Sequence, residues 1–377
     1  MLSHHRTFAR ATSEPVRARR VIPRVALARP LPAAASKCAM TQIHARPGQP
    51  PRLSFFEDLH PPAADFRADI LAGLSKPQKA LPPKYYYDEE GSRLFDAITE
   101  QPEYYVTGTE LELLRATGPE LRGLAGPGAL VLEPGAGSSV KIRTLLDALE
   151  KPAAYVGMDI SGDHVRGACE ALAVDYPALE IGALCHDFTQ SLDIDALPLS
   201  ATARAGKRIV FFPGSTIGNF ELIDALALLR TLRGWLRPGD ALLIGADMRK
   251  AAGTLEAAYD DDAGITAAFN LNLIARINRE LEGDIDPQAL QYRAHWNPYR
   301  SRVEMYLVAT RDLFFTVGGQ SFVLRQDETI HMENSHKFTL YTFQDLAAKA
   351  GLRTRKAWVS GGEAFSMHWL EPAGEAC

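Results

Sequence analysis

The chain has 377 residues, 46% hydrophobic and 23% charged, with a net charge of −5. That balance is ordinary for a globular protein, and the length suits two domains or one domain with a large insertion. The negative charge offers no basic face for nucleic acid, and no apolar run approaches the ~18 residues of a membrane span. The cysteines, Cys38, Cys169, Cys185 and Cys377, have neither metal spacing nor a CxxC pair. They read as reduced thiols of a cytoplasmic protein, with no metal site expected.

Residues 1–39 carry seven arginines and one lysine against the single acid Glu14, among many alanines and prolines. The composition is that of an organellar transit peptide, but no amphipathic helix accompanies it. The expectation is a disordered or spurious extension over residues 1–54, with Met40 as an alternative start. A helical patch over 66–74 begins the fold. In 81–110 the sequence is aromatic, polar and punctuated by prolines. A helix is predicted over 91–99, with Leu94, Phe95 and Ile98 as its stripe. Tyrosines cluster on either side, Tyr85-Tyr86-Tyr87 and Tyr104-Tyr105. Most should pack between helix and sheet, but a buried tyrosine hydroxyl needs a partner. One from each cluster is expected to face a ligand.

An apolar run, 129–132, ends in Glu133 and a small-residue turn, Gly135-Ala136-Gly137-Ser138-Ser139. A helical pattern follows, with Ile142, Leu145, Leu146 and Leu149 on one face. Strand, glycine turn and helix make the first crossover of a nucleotide-binding α/β sheet. A dinucleotide fingerprint would place glycine where Val140 stands, and a P-loop would need Gly-Lys-Ser/Thr around Lys141. Neither fits. The next strand, AYVGMD, ends in Asp159, placed to accept from both ribose hydroxyls of a nucleoside. A third apolar stretch, around 179–184, leads to Asp187-Phe188, a carboxylate and a ring suited to adenine. Each feature alone reads as a turn, a cap or a loop. Together, in this order, they point to S-adenosylmethionine (SAM).

The strand 209–212 runs into Pro213-Gly214-Ser215-Thr216, the loop beyond a strand end where transfer chemistry belongs in such sheets. Asn219 follows, with a donor and an acceptor in one neutral side chain. It reads either as a ligand contact or as a cap for the helix predicted over 222–236. A fifth strand, 241–246, ends at Asp247. The alternation of strand and helix then stops. A long helix is expected over 255–281, followed by strands in RVEMYLVAT, LFFTVGG and SFVLRQDETIHME. The last residues return to helix (343–350) and strand (354–359 and 364–370), completing the main sheet.

The runs PPKYYYDEEGSRLFDAITEQPEYY, VLEPGAGSSVK, FFPGSTIGNF, AYDDDAGITAAFN and MENSHKF occur in that order. They resemble the histidine Nα-methyltransferase family of ergothioneine biosynthesis, from about Pro82 to the C-terminus. The resemblance implies a class I SAM-dependent methyltransferase, a Rossmann-like doubly wound α/β sheet with a second α+β substrate-binding domain. The expected division is 109–248 plus 340–377 for the cofactor, and 55–108 plus 249–339 for the substrate. The implied activity is stepwise methylation of the L-histidine α-amine to the trimethyl betaine, hercynine.

The resemblance also implies site residues. Tyr87, Gly135, Lys141, Asp159, Asp187 and Phe188 would bind the cofactor. Asn219 and Tyr259 would hold the substrate carboxylate, with the Gly214 backbone near the amine. Glu333 and Ser335 match the imidazole-binding pair, Met305 lines the same pocket, and Tyr87 and Tyr104 are pocket tyrosines. In a strand, positions two apart share a face, so Glu333 and Ser335 can meet the two nitrogens of an imidazole. An isolated ExS would otherwise read as a solvated edge, and Met305 alone as core. Glu333 disfavours an indole, whose single N–H would leave the carboxylate poorly compensated. Transfer from a sulfonium to an amine needs alignment more than a strong base. Tyr87, Asn219 and the Gly214 carbonyl are the candidates near the amine. Two alternatives stay open: another amino acid or small amine as substrate, and a SAM-binding regulator without turnover. Nothing in the sequence demands an oligomer, and a monomer is expected.

Overall fold

The structure is a computed structural model that describes residues 53–61, 65–137 and 139–374. The readings made for residues 1–39 lie outside the described residues. In chain order the strands and helices are β1 (Phe55–Asp58), α1 (Phe66–Leu74), β2 (Lys79–Ala80), α2 (Glu89–Thr99), α3 (Tyr105–Ala125), β3 (Leu130–Pro134), α4 (Ser139–Ala148), β4 (Ala154–Asp159), α5 (Gly162–Asp175) and β5 (Glu180–Cys185). They continue as α6 (Ala201–Ala205), β6 (Arg208–Phe212), α7 (Leu222–Gly234), β7 (Ala241–Asp247), α8 (Ala252–Tyr259), α9 (Ile265–Glu280), β8 (Leu290–Asn297) and β9 (Arg302–Ala309). The last are β10 (Leu313–Val317), β11 (Gln320–Leu324), β12 (Thr329–His336), α10 (Leu340–Lys349), β13 (Leu352–Val359) and β14 (Phe365–Pro372).

The main sheet has the order β1-β5-β4-β3-β6-β7-β14-β13. Strands β3, β6 and β7 are buried along their whole length. Such continuous apolar runs are what a parallel strand covered on both faces requires. The strands from β5 through β7 pair in parallel, and β14 inserts antiparallel between β7 and β13. The order reverses at β3, between β4 and β6, so a crevice opens beyond the carboxyl ends of these strands. One strand was not expected: β1 adds parallel to the outer edge of β5.

A second sheet has the order β2-β12-β9-β8, and β10 and β11 form a separate hairpin. Its apolar side shares a core with α2 and α9, through Leu94, Ile98, Phe269, Leu273, Met305 and Ile330. The predicted helix over 255–281 is instead two helices, α8 and α9. The break falls at 260–264, where Gly264 takes φ 74°. There the Asp261 carboxylate accepts the N–H groups of Ile265 and Thr266, both at 2.8 Å. A carboxylate capping the free N–H groups of a new first turn starts α9 afresh. The break leaves Tyr259 at the C-terminal end of α8. The strand β8 was also missed, although its burial alternates through most of its length.

Candidate active site

The parallel strands deliver the expected cofactor residues at their carboxyl ends. Beyond β3, Gly135 adopts φ 71°, a left-handed conformation that glycine takes without a Cβ penalty. A Cβ there would lie 3.6 Å from the Phe188 ring, so turn and ring face each other. Phe188 is held edge-on against Phe212 of β6, with ring centroids 5.7 Å apart. Asp159 ends β4 and accepts the Ser161 N–H at 2.8 Å. Burial raises its pKa, so the ionised carboxylate gains from added donors such as two vicinal hydroxyls. Asp187 turns Oδ1 back to the N–H and hydroxyl of Thr189, at 2.9 and 2.7 Å, and Oδ2 has no partner among the described residues. An open glycine turn, a desolvated acid and an acid–ring pair at adjacent strand ends fit an adenosyl ligand. Lys141 is placed differently from the rest of the set. It is buried and paired with Glu110 at 2.7 Å.

Tyr87 sits between the cofactor and substrate sides. Its ring packs edge-on to Phe95 and Phe269, at 5.6 and 5.7 Å. It is 52% exposed, yet desolvation, followed by Glu333, Tyr104 and Asp159, raises its pKa strongly. The fields of Glu333 and Asp159 reach it from the two sides.

On β12 the register shifts between His331 and Glu333, a bulge that re-aims the residues beyond it. Glu333 then lies opposite Met305 of β9. Ser335 Oγ is 2.8 Å from the Tyr259 hydroxyl, and the Tyr259 ring meets Tyr104 edge-on at 6.0 Å. Burial pushes Glu333 up to about 8, and the Lys337 ammonium pulls it back. Asn219 ends the short turn Thr216–Asn219 after β6, and its side chain makes no hydrogen bond among the described residues. It does not cap α7, whose N-cap is Glu221. A glycine sets its position: a Cβ on Gly218 would lie 2.8 Å from the His336 carbonyl oxygen, so the turn rests directly on β12. Asn219, Glu333 and Asn334 line a cavity of about 370 Å³ whose other walls include Asp69, Lys76, Pro82 and His331, while Tyr259, Met305 and Ser335 lie outside that lining. Gly214, at φ 82°, gives its N–H to the Glu110 carboxylate.

Sequence reasoning missed the buried group beside Ser335 and Tyr259. Lys337, fully buried, reaches Asp247 at 2.6 Å, the Tyr259 hydroxyl at 2.7 Å and Ser335 Oγ at 2.8 Å. Asp247 also accepts from Lys250 at 2.6 Å and from the Tyr105 hydroxyl at 2.8 Å. Burial opposes the charge of Asp247, but the two ammonium groups outweigh it and hold the carboxyl below its usual range. Burial lowers Lys337 and brings Lys250 down to about 8. The alternation Glu333, Ser335, Lys337 was the available signal.

Sheet order, antiparallel β14 and the strand-end residues define a class I SAM-dependent methyltransferase. The comparisons narrow the class. A family model described as histidine-specific methyltransferase, SAM-dependent, matches residues 66–372. The histidine N-alpha-methyltransferase of Mycolicibacterium smegmatis is 40% identical over 318 residues, 83% of this chain and 93% of that one. The enzyme of the same description from Mycobacterium tuberculosis is 40% identical over 306 residues, covering 80% and 93%. Ergothioneine biosynthesis protein 1 of Neurospora crassa is 29% identical over 300 residues, 78% of this chain and 33% of that longer one. The chain belongs to the SAM-dependent, histidine-specific methyltransferase family. No helix among the described residues is long and apolar enough to cross a membrane.

Proposed function

We propose that the protein methylates the α-amine of L-histidine stepwise to Nα,Nα,Nα-trimethylhistidine, in ergothioneine biosynthesis. The observation that carries the reading is the placement of Glu333 and Ser335 two apart on β12, with Glu333 opposite Met305 and Ser335 beside Tyr259. An imidazole presents two nitrogens, and Glu333 and Ser335 meet one each. Met305 closes the apolar side. Tyr259 and Asn219 take the carboxylate, Tyr104 walls the pocket, and Tyr87 and the Gly214 carbonyl flank the amine. Residues 55–108 and 249–339 act as the substrate-binding domain, and 109–248 with 340–377 as the cofactor domain. The enzyme works in the cytoplasm as a monomer.

SAM, when bound, supplies an electrophilic methyl group on a sulfonium. Gly135, Asp159, Asp187 and Phe188 hold the adenosyl part, while Lys141 stiffens the floor through Glu110. The chain's task at the reacting centre is alignment, the larger part of such catalysis. The Asn219 side chain, with no hydrogen-bond partner among the described residues, reaches the carboxylate through its amide donor and, with the Gly214 carbonyl, orients the amine through its acceptor oxygen. Tyr87 keeps its proton because burial and the nearby carboxylates disfavour the phenolate. It therefore acts as a hydrogen-bonding group and not as a base. The amine loses its proton to water, since part of an α-amino population is neutral near neutral pH. The aromatic faces of Tyr87, Tyr104 and Tyr259 accommodate a cationic amine product.

Calorimetry in the presence of S-adenosylhomocysteine tests the substrate. Histidine should bind, tryptophan should not, and Glu333→Ala should abolish histidine binding. Mass spectrometry of the product then counts methyl groups. A folded, cofactor-loaded protein that ignores histidine leaves the fold and class standing and sinks the substrate. Histidine binding without methyl transfer would favour the regulator.

A further inference from the structure

Lys337 makes three hydrogen bonds, and an ammonium group has three protons to give and no lone pair. Its partners are Asp247 Oδ2 at 2.6 Å, the Tyr259 hydroxyl at 2.7 Å and Ser335 Oγ at 2.8 Å. Both hydroxyl oxygens therefore accept from it. Those two oxygens are themselves 2.8 Å apart, and either can be the donor. That contact consumes one of their two protons, so the pair has a single hydroxyl proton left for a ligand.

Which hydroxyl offers it follows from the ligand. A carboxylate only accepts hydrogen bonds. With the substrate carboxylate on Tyr259, as the proposed function assigns, the outward proton is that of Tyr259. Ser335 then donates inward to Tyr259 and meets the imidazole as an acceptor. We propose that Lys337 is a positioning residue for the substrate carboxylate, its three fixed bonds making Tyr259 the hydroxyl that turns its proton to the ligand.

The charge arrangement agrees. Asp247 is a single negative charge between two ammonium groups, Lys250 and Lys337, each at 2.6 Å. Lys337 also lies 4.5 Å from the centroid of the Tyr259 ring. The Lys337 ammonium thus touches both the phenol oxygen and the ring face of Tyr259. A hydrogen bond passed from a buried cation through a hydroxyl to an anion is strengthened at each step by polarisation.

The inference rests on the histidine reading, and the test separates the two. Histidine and histamine differ by the carboxylate alone, so the ratio of their affinities reports carboxylate recognition. Both are titrated into protein saturated with S-adenosylhomocysteine. Lys337→Met should weaken histidine about 10- to 100-fold, the worth of a hydrogen bond to a charged group. Histamine should change little. Tyr259→Phe should collapse the ratio, and the double variant should lose no more than Tyr259→Phe alone. Ser335→Ala should weaken both ligands together and preserve the ratio, because Lys337 still orients Tyr259. A Lys337→Met variant that loses both ligands equally, or whose effect multiplies with Tyr259→Phe, overturns the inference. If Lys337→Met does not fold, the other two single variants decide. Collapse of the ratio in Ser335→Ala, or its survival in Tyr259→Phe, reverses the proton polarity and overturns it. Wild-type protein that fails to bind histidine sinks the histidine reading, and this inference with it.

Discussion

Glu110 holds Gly214 by both of its oxygens: the backbone N–H of Gly214 lies 2.9 Å from Oε1 and 2.8 Å from Oε2. The same carboxylate pairs with Lys141 at 2.7 Å, both side chains buried. Gly245 on β7 leaves room for it, since a Cβ there would overlap Oε1. Helix α3 thereby ties the start of the glycine-turn helix to the loop after β6. Glu110→Gln strands the Lys141 charge in a buried place, which should cost about 3–5 kcal/mol. The double change Glu110→Gln with Lys141→Met should recover much of that loss. Urea midpoints of the two variants check this, and equal midpoints would refute the pairing as the source of the cost.

Gly218 offers a different lever, because its contact is with backbone. Alanine there would put a methyl carbon 2.8 Å from the His336 carbonyl oxygen and 3.3 Å from its nitrogen. Neither atom can swing aside as a flexible side chain would, so the turn carrying Asn219 must lift off β12. Gly218→Ala should raise KM for histidine about 10-fold or more, the scale of a lost polar contact. Binding of S-adenosylhomocysteine should stay within about 3-fold by the same conversion. An unchanged KM would show that Asn219 does not depend on this seat.

The cofactor half was readable because each of its signals is local. A strand, a turn and its following helix lie within a few residues of one another, so Gly135, Asp159, Asp187 and Phe188 fall at strand ends once the strands are recognised. The substrate half depends on contacts between distant segments. Lys337 continues the alternation of Glu333 and Ser335 one residue beyond β12, but nothing local links it to Asp247 at the end of β7, and only pairing across the fold joins them at 2.6 Å. Glu110 could not be assigned because α3 was not recognised as a helix. The break between α8 and α9 was hidden because both flanks share helical periodicity. What splits them is a carboxylate cap from Asp261. The strand β1 has four residues, too short for periodicity to speak.

Glu333 should give stability a descending limb on the alkaline side. Burial raises its carboxyl to about 8 from an ordinary 4.5, with Lys337 opposing. Between those values the folded state keeps a proton that the unfolded chain has released, so stability falls as pH rises through that window. The contribution is whole below about 4.5 and lost above about 8. Glu133, also raised to about 8 by burial despite the Tyr155 hydroxyl at 2.6 Å, adds to the same limb. Glu333→Gln has no proton to lose. It should be more stable than wild type at pH ~8, with the gap narrowing toward pH ~5. A gap that stays constant across that range, measured by urea midpoints, would count against a raised carboxyl.

His368 acts in the opposite sense. It lies fully buried on β14, with its ring 4.4 Å from that of Phe343 and Nε2 3.0 Å from Ser366 Oγ. Nδ1 has no partner. Burial lowers its pKa from 6.5 to about 3, so the folded state refuses a proton that the unfolded chain accepts. Stability is therefore present above about 6.5 and lost as pH falls toward 3. His368→Gln keeps a polar group but cannot titrate. The variant should be less stable than wild type at pH ~7 through poorer packing on Phe343, by about 1–3 kcal/mol. Its stability should nevertheless fall less between pH ~6.5 and ~4.5, so the two urea-midpoint curves converge on acidification. Parallel curves would mean that His368 is protonated in the folded state. That would require an acceptor at Nδ1, and none lies within hydrogen-bond distance among the described residues.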